Sequence, residues 1–521
     1  MSKESRKLTF SWNLAGLLAA LTLLVLSGYS YYDYTADDAF ISYRYARNLA
    51  EGNGLVWNPG EKLESYSNFL WVMILAVLHK FGLDIIVSAK YAGIFAGIAL
   101  LIAAYRLARD VSGIDTESPI WLAPVLLAFN RDIIFWMPSG LETIFFALLL
   151  TAAGHRYLVE DRGPSRFPFS SLLFLLVACT RPEGILYYLA TVVFDLLYHK
   201  RIRWSALLLV LGPFCIYHMW RIAYFGDFLP CPYYAKIGGD QRFLLGAGYV
   251  GRYLVKYLPA FACLSVLLLF PPRDVGRVLY LLWLMIAGTL AALWMDGDWM
   301  WHFRLMIPVT VLLSVLIVPA VGGLLKAASG VARRARAVVL LLGIIVLHQA
   351  TGPSARELVR ILTLNRQPMS GCLEGEMTVA MKTAGLWIKQ HSTPRDLVAV
   401  NHAGALPYYA DRIAIDMTGL CDRHISRVPG GRHEKYDPDY VLSRKPRYVV
   451  LNTSLPPEKG EYGRDYWDGE TALYDHPQFQ ERYRRLPTYW RWRWDAITPN
   501  VTYTILFERI APHQSGEKTS P

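Results

Sequence analysis

The sequence predicts a polytopic α-helical membrane protein of about eleven spans, followed by a C-terminal extracytoplasmic α/β domain. Three observations carry this. Apolar runs near the length needed to cross a bilayer recur from residue 12 to about 350, then stop. The 521-residue chain is 54% hydrophobic and only 18% charged, with 16 Trp and 32 Tyr, too apolar for a soluble chain of that size. Beyond 350 the pattern changes to short apolar runs bounded by turn residues. The expected outline is a membrane domain over 1–350, with a first outer loop over 30–83, and an outer domain over 351–521.

The first apolar run, Trp12 to Tyr29, follows Lys3, Arg6 and Lys7. It reads as a signal-anchor with a cytoplasmic N-terminus rather than a cleaved signal peptide, because many spans follow and no clear A-x-A site precedes Tyr31. Further spans are expected at about 84–107, 118–130, 141–157, 168–180, 184–198, 204–222, 249–270, 277–295, 304–325 and 337–350. Residues 69–80 are apolar but end in His79 and Lys80, and read as an interfacial helix on the outside. That choice places Arg106/Arg109, Arg156/Arg162/Arg166, Lys200/Arg201/Arg203, Arg273/Arg277 and Arg333/Arg334/Arg336 on the cytoplasmic side. The net charge of +11 is thereby accounted for by topology, and nucleic acid is not an expected partner.

On the opposite face, five loops gather acids, bases and aromatics. They carry Asp37-Asp38, Trp136 to Glu142, Thr180 to Gly184, Tyr224 to Lys236, and Met295 to Arg304. Any one of them alone reads as a solvated loop with snorkelling ends. Arg181 and Glu183, between two apolar segments, fit that reading less well, because charges at membrane depth are costly and tend to be functional. The stretch from Tyr34 to Trp71 stands out. An adjacent carboxylate pair directly follows the first span, then come a short helical pattern (Phe40 to Leu49), a Gly/Asn/Pro turn run and an aromatic exit. It reads as the floor of an active site at a membrane surface. The plainer reading is that Asp37-Asp38 only cap a helix.

The blocks DDAFISYRYARNLAEGNGLVWNPGEKLESYSNFLW, SGLE, TRPEG, YFGDFLPCPYYAK, GDWMWHFR and DMTGLCDRHI occur in that order. Together they resemble the signature blocks of bacterial arabinofuranosyltransferases of the GT-C superfamily, above all the terminal β-(1→2)-arabinofuranosyltransferase family of mycobacterial cell walls. The resemblance runs from about residue 35 to 435. LPCPYYAK departs from an expected LPNTYYAK, and DGDWMWH from a GGDWMP-like block.

The resemblance implies a multi-pass enzyme of the bacterial cytoplasmic membrane, its C-terminal domain periplasmic. It would take a sugar, arabinofuranose by the resemblance, from a polyprenyl-phosphate carrier in the membrane lipid and pass it to a glycan or protein acceptor. Such chemistry needs a carboxylate to accept the hydroxyl proton and cations to stabilise the departing phosphate. Asp38 and Asp37 suit the first role, with Asp38 the base and Asp37 the helix cap. Arg181, Lys236, His302 and Arg304 are candidates for the second. Tyr43, Arg44, Trp57, Asn68, Glu183, Asp298 and Trp299 complete the expected donor side. No HExxH or CxxC pattern occurs, so no tight structural metal is expected; a divalent cation (Mg, Mn or Ca) at the carboxylate pair stays open. Transfer of mannose or aminoarabinose is the alternative within the enzyme class, and a lipid-linked sugar transporter or flippase outside it. A transporter should show paired broken helices and internal symmetry, and no repeat is visible.

The C-terminal part opens with a helical stretch, Thr378 to Gln390. VAVNHAGALPYYADRIAIDMTGLCD then reads strand, short helix, strand. Lys445 to Asn452 and Thr502 to Phe507 read as further strands. Its polar clusters place Asn401, His402, Asp416, Asp422 and His433 at an expected acceptor side, unless they are turns that only support the domain. Cys372 and Cys421 both fall in this domain, where a disulfide is chemically permitted.

Overall fold

The computed structural model describes residues 3–113, 118–161, 167–236, 238, 242–272, 274–326, 343, 351–366, 373–431, 434–456, 467–493 and 501–510. The chain forms two compact units. One comprises Met1–Tyr34, Asn68–Trp220 and Gln241–Pro368; the other comprises Thr35–Ser67, Arg221–Asp240 and Met369–Pro521. This division differs from an outline cut at 350. The stretch after the first helix, expected within the membrane domain, packs with the C-terminal residues instead.

The first unit is helical. Among the described residues, five helices are long and apolar enough to cross a membrane: Trp12–Ser30, Ile85–Ser112, Trp204–Phe225, Val275–Trp294 and Arg304–Lys326. A sixth arises if Phe243–Lys256 and Leu258–Leu269 form one broken span. Three shorter apolar helices, Phe69–Lys80, Phe169–Thr180 and Gly184–Tyr198, fall below that length. By this measure the expected eleven spans are not reached, for identifiable reasons. The run at 118–130 yields only Leu122–Ala128, because the Asn130 side chain accepts from the N–H groups of Asp132 and Ile133 and starts a new helix, Arg131–Trp136. The run at 249–270 bends by 72° where the second helix restarts with Pro259 in its first turn. The run at 337–350 lies outside the described residues, apart from 343.

Arg304–Lys326 is apolar on every side and 94% of its most apolar window is buried, so it is the central helix of the bundle. Trp204–Phe225 is equally free of a polar face but only 17% buried, as suits a helix turned toward lipid. Within Ile85–Ser112 the buried Lys90 donates to the carbonyls of Tyr32 and Tyr34 at 2.5 Å each and of Pro138 at 3.4 Å. It ties the chain leaving the first helix to the loop after Trp136.

The second unit is built on a five-stranded sheet. Its strands are β1 (Leu397–Val400), β2 (Ile413–Asp416), β3 (Tyr448–Thr453), β4 (Tyr483–Arg493) and β5 (Val501–Arg509), in the order β2-β1-β3-β5-β4. β1 runs parallel to β2 and β3, and β5 runs antiparallel to β3 and β4. The strand, helix, strand reading of 397–416 corresponds to β1, helix Ala405–Ala410 and β2. The central β3 is buried along its whole length, which is why its apolar run is uninterrupted. β4 was not expected. Its sequence, YRRLPTYWRWR, carries four arginines and a proline, and it lies at the sheet edge with a register shift between Arg485 and Tyr489. Edge strands carry charge and Pro for the same reason that hides them from a hydrophobic pattern.

Helix Ala39–Ala50 and the turns after it belong to this unit and are buried on most sides. Asn58 acts as a surrogate strand partner for β2: its amide donates to the Ala414 carbonyl at 2.9 Å, and its carbonyl oxygen accepts from the Ala414 N–H at 3.1 Å. Glu64 pairs with Arg221 at 2.6 Å, both buried.

Candidate functional site

The carboxylate pair sits in the second unit. Asp37 is buried, and its Oδ1 accepts the Ala405 N–H at 2.8 Å. Gly404 lies directly against it: a Cβ there would come within 2.4 Å of Asp37 Oδ2 and 2.1 Å of its carbonyl oxygen. Only glycine fits. Asp37 therefore meets backbone N–H as expected, but that of the 404–405 turn and not of its own helix. Asp38, half-buried, holds the N-cap position of Ala39–Ala50 with helical φ −55° and ψ −27° and makes no side-chain capping bond.

Burial pushes the Asp37 carboxyl up to about 7, with the Asp38 and Asp416 carboxylates adding to the rise against the backbone N–H groups that lower it. Its folded value lies above the ordinary 3.8, so stability from the protonated form is complete at acid pH and is lost as pH rises through about 7. Asp37→Asn, which keeps the acceptor and removes the proton, is expected to flatten that part of the stability curve. Melting temperatures from about pH 5 to 8 check this, and parallel curves for variant and wild type would refute it.

The neighbours of the pair are largely structural. Tyr43 is fully buried against Phe40 (5.2 Å between ring centroids) and Tyr408 (6.2 Å). Arg44 is buried over the Trp57 ring at 4.7 Å, and its guanidinium donates to the carbonyls of Trp57, Pro407 and Arg412 and to Asn58 Oδ1. Both Trp57 and Arg44 are thus held in the core of this unit. Lys236 ends the short helix Cys231–Lys236 and is half-buried.

Four of the five expected acceptor residues are described, and these close turns or strands. Asp416 accepts from Thr418 N, Thr418 Oγ1 and Cys421 N at 2.9, 2.6 and 2.7 Å. Burial lifts it to about 6 against those bonds. Asp422 accepts from His424 N and Ile425 N at 2.9 and 3.0 Å and from the Tyr440 hydroxyl at 3.0 Å. Asn401 donates to Glu470. His402 lies 3.2 Å from the Asn452 amide, and burial pushes it down to about 4, so it is neutral at physiological pH. His433 lies outside the described residues. Cys421 is buried, and the bridge to Cys372 involves a residue outside the described ones.

In the first unit the blocks SGLE and TRPEG meet. Arg181 binds Glu142 and Glu183 at 2.5 Å each, and Asn68 donates to Glu142 at 2.7 Å, with all four side chains buried. The two carboxylates overcome the effect of burial and hold the Arg181 guanidinium above its ordinary value. Arg181 with two carboxylates is net negative, which disfavours a phosphate there. Glu142 was not among the expected site residues. Arg304 pairs with Asp298 and lies 5.8 Å from the Trp136 ring, while Trp299 is exposed.

A second group centres on Asp132, and of its members only His302 is among the expected site residues. Asp132, fully buried, binds Lys256 Nζ at 2.7 and 2.8 Å, the Tyr257 hydroxyl at 2.7 Å and His302 Nδ1 at 3.0 Å. Burial alone would raise Asp132, but the His302 bond and the Lys256 charge hold it at about 2. His302 (φ 64°) and Phe303 (φ 44°) are consecutive left-handed non-glycine residues, a strain this network maintains. Asp132 stands in FNRDIIFW, where an acid after an Asn cap looks like ordinary first-turn charge, and no spacing links it to Lys256.

Among the described residues, Asp161, Asp195 and His199 form a group with ligand atoms close enough to share an ion. Both carboxylates already hold arginines: Arg201 binds Asp161, and Arg203 binds Asp195 at 2.7 Å. That donor set does not fit a resident cation. Asp37 and Asp38 are not part of such a group.

Residues 371–505 match the model of a domain of unknown function, DUF8728. The terminal β-(1→2)-arabinofuranosyltransferase of Mycobacterium tuberculosis is 24% identical over 260 residues, 46% of this chain and 41% of that protein. The crystal structure of ArnT from Cupriavidus metallidurans bound to undecaprenyl phosphate is similar with a TM-score of 0.56 at 13% identity, covering 96% of this chain and 98% of that one. AglB, the archaeal oligosaccharyltransferase of Archaeoglobus fulgidus, in complex with an inhibitory peptide and a dolichol-phosphate, is similar at 0.55 and 11% identity, covering 98% and 75%. With an apolar multi-helix unit and a C-terminal sheet, this chain is a multi-pass membrane protein with the fold of the GT-C glycosyltransferases.

Proposed function

We propose that the protein is a membrane glycosyltransferase that moves a sugar, arabinofuranose, from a polyprenyl-phosphate donor to a hydroxyl of a cell-envelope glycan. The likeness to lipid-phosphate-bound ArnT and AglB supports the donor class, and the mycobacterial relative supports the sugar. The observation that carries the reading is the asymmetry of the carboxylate pair. Asp37 is wedged against Gly404 and bonded to Ala405, while the adjacent Asp38 takes no part in capping.

In this reading the acceptor hydroxyl oxygen attacks the anomeric carbon and Asp38 takes its proton. The bond from that carbon to the phosphate oxygen breaks, and the lipid phosphate leaves with the electron pair. Lys236, in the same unit as Asp38, is the cation assigned to that phosphate. Arg181 is assigned to neutralising Glu142 and Glu183, and His302 to the network of Asp132. The enzyme works in the bacterial cytoplasmic membrane with its second unit outside.

The test is transfer by the purified protein from polyprenyl-phosphate arabinose, compared with mannose and aminoarabinose donors. Transfer from the arabinose donor alone is expected. Transfer only from another donor would replace the sugar, and none from any would return the chain to the transporter class.

A further inference from the structure

We propose that the second unit carries a binding groove for a neutral glycan, walled by Glu61, Arg423, His424, Arg427, Asp437 and Tyr440. The groove is open to solvent and offers about 670 Å³, within the usual volume range for a small-molecule site. It lies wholly within this unit, and none of the residues expected on the acceptor side lines it.

The DMTGLCDRHI block and the helix cap at Asp437 build its walls. Asp422 accepts two N–H groups of the turn carrying His424 and the hydroxyl of Tyr440, so it fixes both aromatic walls from behind. The His424 ring stacks on Tyr440 at 4.1 Å and 19°, and its Nε2 lies 2.7 Å from Asp437 Oδ2. Asp437 in turn caps helix Pro438–Ser443 through the Tyr440 N–H. The stack is held at both ends yet 48% of the His424 side chain is exposed, so it offers a ring face to a ligand.

Charge selects the ligand class. Arg423 and Arg427 both pair with Asp227, and the groove also holds Glu61 and Asp437. The lining is thus balanced in charge, rich in planar donors and acceptors, and backed by an aromatic stack. That chemistry suits a polyhydroxylated neutral chain, whose hydroxyls need both donors and acceptors and whose C–H faces pack on rings. An anionic ligand would meet two carboxylates. As an acceptor subsite the groove rests on the transferase reading; as a glycan site it does not.

The experiment measures binding of a neutral arabinofuranosyl oligosaccharide to the full-length protein in detergent, by saturation-transfer NMR, with inorganic phosphate as competitor. His424→Ala removes the exposed ring and one exposed ion pair, so its melting temperature should match wild type. It is expected to weaken binding by about five- to tenfold, with a parallel rise in acceptor KM and no change in donor KM. Glu61→Gln is expected to weaken binding in the same direction. No binding by wild type, unchanged binding by both variants, or displacement by phosphate would each overturn the groove. Binding that His424→Ala weakens, without transfer from any donor, would keep the groove and sink the transferase.

Discussion

Replacing Asp38 with Asn is expected to lower the rate of sugar transfer by about 10²- to 10⁴-fold while leaving donor binding and expression intact. Two adjacent carboxylates repel, and the structure separates their environments. Asp37 is held on one side by the Ala405 N–H and on the other by the absent side chain of Gly404. Burial keeps its carboxyl near neutrality at about 7. Its oxygens are committed to the fold through the Ala405 N–H and the close backbone of Gly404. Asp38 sits one residue on, half-buried, its side chain outside the capping pattern of the helix it precedes. Asp37→Asn should therefore cost less transfer than Asp38→Asn. Single-turnover assays with saturating donor separate the two. Near wild-type transfer by Asp38→Asn would leave the pair with a structural role only.

The contrast between these two residues shows what the sequence can tell and where it stops. The pair itself, the helix after it, the strand-helix-strand of 397–416 and the buried β3 were legible, because each is a local pattern of polarity and period. The environment that distinguishes Asp37 from Asp38 was not, because Gly404 and Ala405 lie far along the chain. The same holds for Asp132, whose partners Lys256, Tyr257 and His302 come from two distant segments. SGLE and TRPEG were visible as blocks, but their meeting through Glu142 and Arg181 is a matter of helix packing. β4 was lost for another reason: an arginine-rich edge strand lacks the alternation that marks a half-buried one. Asp416 and Asp422 illustrate the reverse error. Acids in a turn attract a functional reading, yet their oxygens accept the N–H groups of their own turns and, at Asp422, also the Tyr440 hydroxyl.

Arg44 is bonded in the same way, and its removal should strongly destabilise the second unit. Arg44→Ala is expected to cost about 3–5 kcal/mol, from several buried acceptors left unpaired together with the cavity that truncation opens. Its Nε donates to the Trp57 carbonyl at 2.6 Å, and its terminal nitrogens to the carbonyls of Pro407 and Arg412 at 2.5 and 2.6 Å and to Asn58 Oδ1 at 3.1 Å. These acceptors belong to the segment 35–67, to helix Ala405–Ala410 and to the turn after it, so one side chain fastens the first loop to the β1-β2 crossover. Burial lowers its guanidinium only to about 10, so the charge persists at neutral pH. Truncation would leave three buried carbonyls without their donor and open a cavity beneath the Trp57 ring. Lysine cannot substitute, because a single ammonium cannot reach acceptors spread around a planar fork. Thermal melting with limited proteolysis of the 35–67 segment measures the effect, and both variants should melt earlier and be cut sooner there. If Arg44→Ala melts like wild type and loses only donor binding, Arg44 is a ligand for the phosphosugar after all. The carbonyls around it would then be incidental neighbours.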